Sequence, residues 1–90
     1  MEQKFLAQLA ENRNKALSLG VRIRPIEDMK QVKRFLSGSR ASDGFGDLQN
    51  KGQLKLSLEA LVVDKRFTAL FTDDEANEAL QRLLAAGYRF

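Results

Sequence analysis

The sequence predicts a small single domain of the α+β class, mainly helical, with about four helices and a minimal two- or three-stranded sheet. Apolar residues recur at helical spacing over most of the chain, and a short stretch beside a helix-ending Gly alternates apolar and charged residues instead. The chain has the length of one domain, so residues 1–90 are expected to form a single unit with a flexible loop at 37–52.

Three helices are predicted with defined ends. The first covers residues 2–19 and ends at Gly20, because Gly adopts a positive φ without a Cβ penalty. The second covers residues 26–36, with acidic residues near its start and basic residues near its end. The third begins at Thr72, where Thr followed by Glu75 has the pattern of a capping box, and it ends at Gly87.

The predicted sheet consists of residues 21–24 and 87–90, with 53–56 as the optional third strand. The stretch 53–60 fits a strand or a helix, because its Leu residues alternate with polar ones while Ser57 is a good helix N-cap. A brief strand followed by a helix is favoured, with a separate helical turn near Phe67. The predicted core consists of Phe5, Leu9, Ile23, Val32, Phe35, Leu61, Leu80, Leu83 and Tyr88.

The loop at 37–52 contains four Gly residues and little apolar periodicity. Its glycines are not followed by the Lys and Ser or Thr of a phosphate-binding loop, and its acidic residues do not have calcium-loop spacing. We interpret it as a linker. Phe45 and Leu48 either anchor it to the core or contact a partner, and anchoring is the favoured interpretation.

The composition argues against catalysis. The chain has no Cys and no His, which excludes disulfides, thiolate chemistry and the usual imidazole base. The acidic residues at 73–75 are explained by a helix N-terminus. We therefore expect no enzyme activity, no cofactor and no metal. The N-terminus does not resemble a signal peptide and no stretch approaches the roughly 20 apolar residues of a membrane span, so a cytoplasmic location without a membrane partner is expected.

The basic residues give the first functional hypothesis. The net charge is +3, but residues 13–40 hold eight Lys and Arg against two acidic residues. A cluster of this kind either neutralises phosphates or is a solvated surface, and the second interpretation is slightly favoured. Arg82, on the distant last helix, is expected to matter less. The candidate residues for nucleic-acid binding are Arg22, Arg24, Lys30, Lys33, Arg34 and Arg40.

The alternative hypothesis is a protein-interaction adaptor that associates with a protein partner or with itself. We expect the segment 58–71 to hold more apolar surface than one small core can bury, so part of it would form the contact surface. Salt separates the two hypotheses, because phosphate contacts weaken steeply with ionic strength and apolar contacts do not. The candidate contact residues are Phe45, Leu48, Val63 and Phe67.

Overall fold

The structure is a computed structural model that describes residues 1–38 and 41–88. Those two ranges contain five α-helices, two 3-10 helices and no β-strand. The α-helices are α1 (Glu2–Ser18), α2 (Met29–Ser37), α3 (Phe45–Asn50), α4 (Leu58–Val62) and α5 (Asp73–Ala85), and the 3-10 helices are Leu54–Leu56 and Lys65–Leu70. The α+β prediction is therefore wrong, because the described chain is helical and has no sheet.

The predicted strands are absent because their backbone donors are used locally. The Val21 N–H donates to Ala16 O at 2.9 Å and the Tyr88 N–H donates to Leu83 O at 2.9 Å. The Leu56 N–H donates to Gln53 O at 3.0 Å, within the first 3-10 helix. A strand ladder needs these groups for a neighbouring strand. Residues 89–90 of the predicted sheet lie outside the described residues.

The predicted helix ends are confirmed at Gly20, Gly87 and Thr72. Gly20 has φ +85° and Gly87 has φ +82°, and each is the left-handed residue of a Schellman motif. Thr72 caps α5 with its side chain, which accepts from Glu75 N–H, while Glu75 Oε1 accepts from Thr72 N–H at 2.8 Å. These ends form from residues a few positions apart, which explains why the sequence reveals them.

Two predicted boundaries in the middle of the chain change. Helix α2 begins at Met29 instead of residue 26, because Asp28 is the N-cap and accepts from Gln31 N–H at 2.9 Å. The predicted loop at 37–52 contains helix α3, whose Phe45 and Leu48 are buried. This burial agrees with the interpretation that these two residues anchor the segment to the core.

The buried apolar residues form two clusters. The first joins α1, α2, α4, α5 and the second 3-10 helix around Phe5, Val32 and Phe67. The second joins the end of α1 to α3, the first 3-10 helix and the end of α5 around Val21, Leu48 and Leu83. Val63 packs against both clusters. Of the predicted core residues, Phe5, Leu9, Val32, Leu61 and Leu83 are buried, whereas Ile23, Phe35, Leu80 and Tyr88 are partly buried.

We expect Gly44→Ala to destabilise the protein more than Gly20→Ala. Both residues have positive φ, so each substitution should cost about 1 kcal/mol in backbone strain. At Gly44 the added Cβ would also lie 2.7 Å from Ile23 Cγ1, whereas at Gly20 it would meet open space. Gly46, inside α3 and in open space without positive φ, is the control, and Gly46→Ala should not destabilise. Urea unfolding measures the stability of the three variants, and a loss for Gly44→Ala no larger than that for Gly20→Ala would contradict this expectation.

Candidate functional site

The extended segment 21–26 presents two of the candidate arginines at the surface. Val21 is buried and Ile23 is partly buried, while Arg22 and Arg24 between and after them are exposed. Side chains from neighbouring elements hold this segment in place. Arg13 Nε donates to Ile23 O at 2.7 Å, and the Arg24 N–H donates to Asp43 Oδ2 at 2.8 Å. The predicted alternation of buried and exposed residues is therefore present without a sheet.

Helix α2 lies beside this segment and adds two exposed cations. Lys30 and Arg34 are exposed and one helical turn apart, so they share one side of α2. Arg34 and Arg24 line the same groove, which has a volume of about 220 Å³. The other residues that line the groove are Pro25, Ile26, Gln31 and Phe35. The structure thus brings a segment arginine and a helix arginine together.

The Lys33 side chain does not line this groove and contacts Glu75 and Leu70 instead. Its Nζ lies 2.9 Å from Glu75 Oε1 and 3.3 Å from Leu70 O, and it is 5.4 Å from the centre of the Phe71 ring. These contacts fasten α2 to the start of α5. Arg40, the remaining candidate, lies outside the described residues.

The pKa of Glu75 reflects this attachment. Partial burial raises the pKa of the carboxyl group, but hydrogen bonds from Thr72 and the Lys33 ammonium outweigh burial, so the pKa lies below its ordinary value. Lys33 therefore has an ion-pair partner that Arg22, Arg24, Lys30 and Arg34 do not have within residues 1–38 and 41–88.

Four candidate cations are exposed, namely Arg22, Arg24, Lys30 and Arg34. None of the four forms an ion pair within residues 1–38 and 41–88. Two acidic side chains near these cations accept hydrogen bonds from the backbone, since Asp28 caps α2 and Asp43 accepts from Arg24 N–H. Glu27 is exposed and reduces the local charge. The surface is therefore basic but not uniformly so.

The residues of the adaptor hypothesis lie mostly inside the protein. Phe45, Leu48 and Phe67 are buried, and Val63 is partly buried between the two clusters. The segment 58–71 thus buries most of its apolar surface in the core. The large apolar residues that are exposed among those described are Met1, Leu17, Leu19 and Leu84.

A buried polar cluster was missed by the sequence analysis. The Glu59 side chain is 0% exposed, and its Oε2 accepts from Arg82 Nη1 at 3.2 Å and from Ser42 N–H at 2.8 Å. Its Oε1 accepts from the Ser42 hydroxyl. The Arg82 side chain is 8% exposed and also donates to Phe35 O, Gly38 O and Glu78 Oε1.

The geometry of this cluster indicates a structural role and not a catalytic one. Both Glu59 oxygens are occupied by donors from the protein, which leaves neither free to accept a proton from a substrate. The only sequence signal was a Glu within the apolar stretch LEALVV. Arg82, which the sequence placed away from the basic candidates, holds this buried carboxylate, so a substitution at Arg82 would also disturb the core.

No protein-family model, no curated protein and no solved structure matches the chain at a significant level. Within the described parts of the chain, no helix is long and apolar enough to cross a membrane. The same residues contain no group of three or more acidic side chains that could hold a metal ion. The function therefore has to be inferred from the side chains described above.

We expect Arg82→Met to destabilise the protein by about 3–5 kcal/mol, because it leaves the Glu59 carboxylate buried without its counter-charge. Lys15→Gln is the control, since it breaks an exposed ion pair with Glu11 and should cost less than about 1 kcal/mol. Denaturant unfolding measures both. Equal small losses would mean that the buried pair contributes no more than a surface pair.

We expect the contribution of Lys33 to stability to depend on pH. Because the folded-state pKa of Glu75 is lowered, its stabilisation is present above the ordinary value of about 4.5 and is lost as the pH falls through the folded-state pKa. Lys33→Gln should therefore lower the stability by no more than about 1 kcal/mol at neutral pH, because the ion pair is partly exposed and solvent screens it. This difference should shrink at acidic pH. Lys30→Gln, which removes an unpaired charge from the same helix, should show no such change.

Proposed function

We propose that the protein is a small non-enzymatic binding protein that contacts nucleic acid through a basic surface. This surface, called the basic surface below, consists of Arg22, Arg24, Lys30 and Arg34. The observation that carries the proposal is the lack of any ion pair on these four exposed side chains within the described residues. Unpaired, solvated cations are the groups that phosphates can neutralise with release of counterions.

The hydrogen bonds that hold the backbone near Arg24 and Arg34 support the proposal. Arg24 is held through its own N–H by Asp43, and its neighbour Ile23 is held by Arg13. Arg34 belongs to a helix that Lys33 attaches to α5. Guanidinium groups that leave a fixed backbone lose less freedom on binding than groups on a mobile tail.

The expected affinity is moderate. Four phosphate contacts would give a salt slope of roughly −3.6 on duplex DNA, which corresponds to a loss of about a hundredfold between 50 and 200 mM salt. A net charge of only +3 adds little long-range attraction. Binding should therefore be measured at low salt.

We expect the triple variant Arg22→Gln, Arg24→Gln, Arg34→Gln to bind a duplex DNA fragment more weakly and with a flatter salt dependence than the parent. Each phosphate contact removed should lower the magnitude of the slope by about 0.9. Fluorescence anisotropy at several salt concentrations measures both quantities.

The matched control neutralises three exposed lysines outside the basic surface, Lys4, Lys51 and Lys65. It removes the same charge, so it separates local contacts from net charge, and it should keep most of the affinity and the slope. The proposal of a defined basic surface is wrong if the parent binds neither DNA nor RNA at low salt. It is also wrong if both triple variants lose affinity equally.

Association with a protein partner is the second candidate. The exposed Leu17, Leu19 and Leu84 favour it, since Ala16 and Leu83, the neighbours of two of them, lie in one apolar cluster. A parent protein that fails to bind nucleic acid but elutes as a dimer in gel filtration would favour this candidate.

A further inference from the structure

The groove between the segment 24–26 and helix α2 combines charge with an apolar wall. Its charged residues are Arg24 and Arg34, which approach it from the segment and from the helix. None of the described residues that line the groove carries a carboxylate, and Asp43, which accepts from the Arg24 N–H, is not among them. The two arginines therefore make the groove basic, while exposed Glu27, which follows Ile26 in the chain, lowers the positive charge beside it.

Gln31 adds an oriented donor. Its Oε1 accepts the Glu27 N–H at 2.8 Å, which fixes the carboxamide and leaves its NH₂ group to donate. The two guanidinium groups carry donors only. All the polar side chains of the groove are thus suited to oxygen acceptors on a ligand.

The remaining lining is apolar and comes from Pro25, Ile26 and Phe35. An inorganic anion would make no favourable contact with these apolar side chains. A ligand with a planar ring beside its phosphate would contact both the charged and the apolar side of the groove. The volume of about 220 Å³ is below the roughly 300–1,000 Å³ of pockets for drug-sized ligands. It suits one ring system with its attached phosphate.

We infer that this groove holds one nucleotide of a single-stranded nucleic acid, with a phosphate between Arg24 and Arg34 and the base against Phe35 and Ile26. The inference rests on the proposed function and deepens it by naming the form of nucleic acid. In a duplex the face of each base is covered by its neighbours, so only an unpaired base can present its face to the groove.

The test uses the full chain and three fluorescein-labelled probes at low salt: a twelve-residue oligothymidylate, an abasic strand of the same length, and a duplex of the same length. Anisotropy should show the oligothymidylate bound about 5- to 140-fold more tightly than the abasic strand, the range that base stacking on an aromatic ring gives. The duplex should also bind more weakly than the oligothymidylate.

Phe35→Leu should reduce the preference for the oligothymidylate over the abasic strand, because it keeps apolar volume but removes the aromatic face. Phe71→Leu is the control, since it removes a partly buried ring that does not line the groove. Circular dichroism reports whether each variant folds. The comparison of the three probes on the unmodified protein needs no variant and decides the question if Phe35→Leu does not fold.

Each outcome supports or contradicts a stated part of the inference. An abasic strand that binds as tightly as the oligothymidylate, with a salt slope that Arg24→Gln and Arg34→Gln flatten, overturns the nucleotide groove and leaves the basic surface in place. A preference for bases that survives in folded Phe35→Leu also overturns the groove. Failure of all three probes to bind overturns both the groove and the proposed function.

Discussion

The buried contact between Glu59 and Arg82 is the interaction on which most of the architecture depends. It joins α4 to α5, and the remaining donors of Arg82 hold the carbonyls of Phe35 and Gly38 at the end of α2. Burial of two charged groups is costly unless their hydrogen-bonding groups are satisfied. Here Ser42 supplies the remaining donors to Glu59, so the cluster fixes a geometry that apolar contacts alone would not define.

The same cluster is connected to the basic surface through the loop that contains Ser42 and Asp43. Glu59 holds Ser42 through its N–H and its hydroxyl, and the next residue, Asp43, accepts from Arg24 N–H. A buried carboxylate in the core is therefore connected, through one loop, to an arginine at the surface. Gly44 lies in the same loop and allows Ile23 to approach closely. The position of the candidate groove is thus a consequence of core polar contacts as well as of local helix formation.

Seven of the described Lys and Arg residues fall into two groups that the sequence does not distinguish. Arg13, Lys33 and Arg82 are used within the protein to hold a carbonyl, a helix and a buried carboxylate respectively. Arg22, Arg24, Lys30 and Arg34 are exposed and unpaired among the described residues. Lys33 and Arg34 are adjacent and carry the same charge at neutral pH, but helical geometry directs them to different sides of α2. A count of charges does not separate these two groups and does not reveal the role of Arg82.

Sequence determined the features that depend on residues close together in the chain. The helix ends at Gly20 and Gly87 and the capping box at Thr72 involve groups within a few positions, so their patterns predict them. Alternation at 21–24 indicated which side chains would be buried, but it did not reveal whether the backbone would pair with another strand. Tertiary structure decided that those backbone groups bind within turns and to side chains from other elements. It also decided the Glu59–Arg82 pair and the meeting of Arg24 with Arg34, because these depend on how separate helices pack and no local pattern encodes that packing.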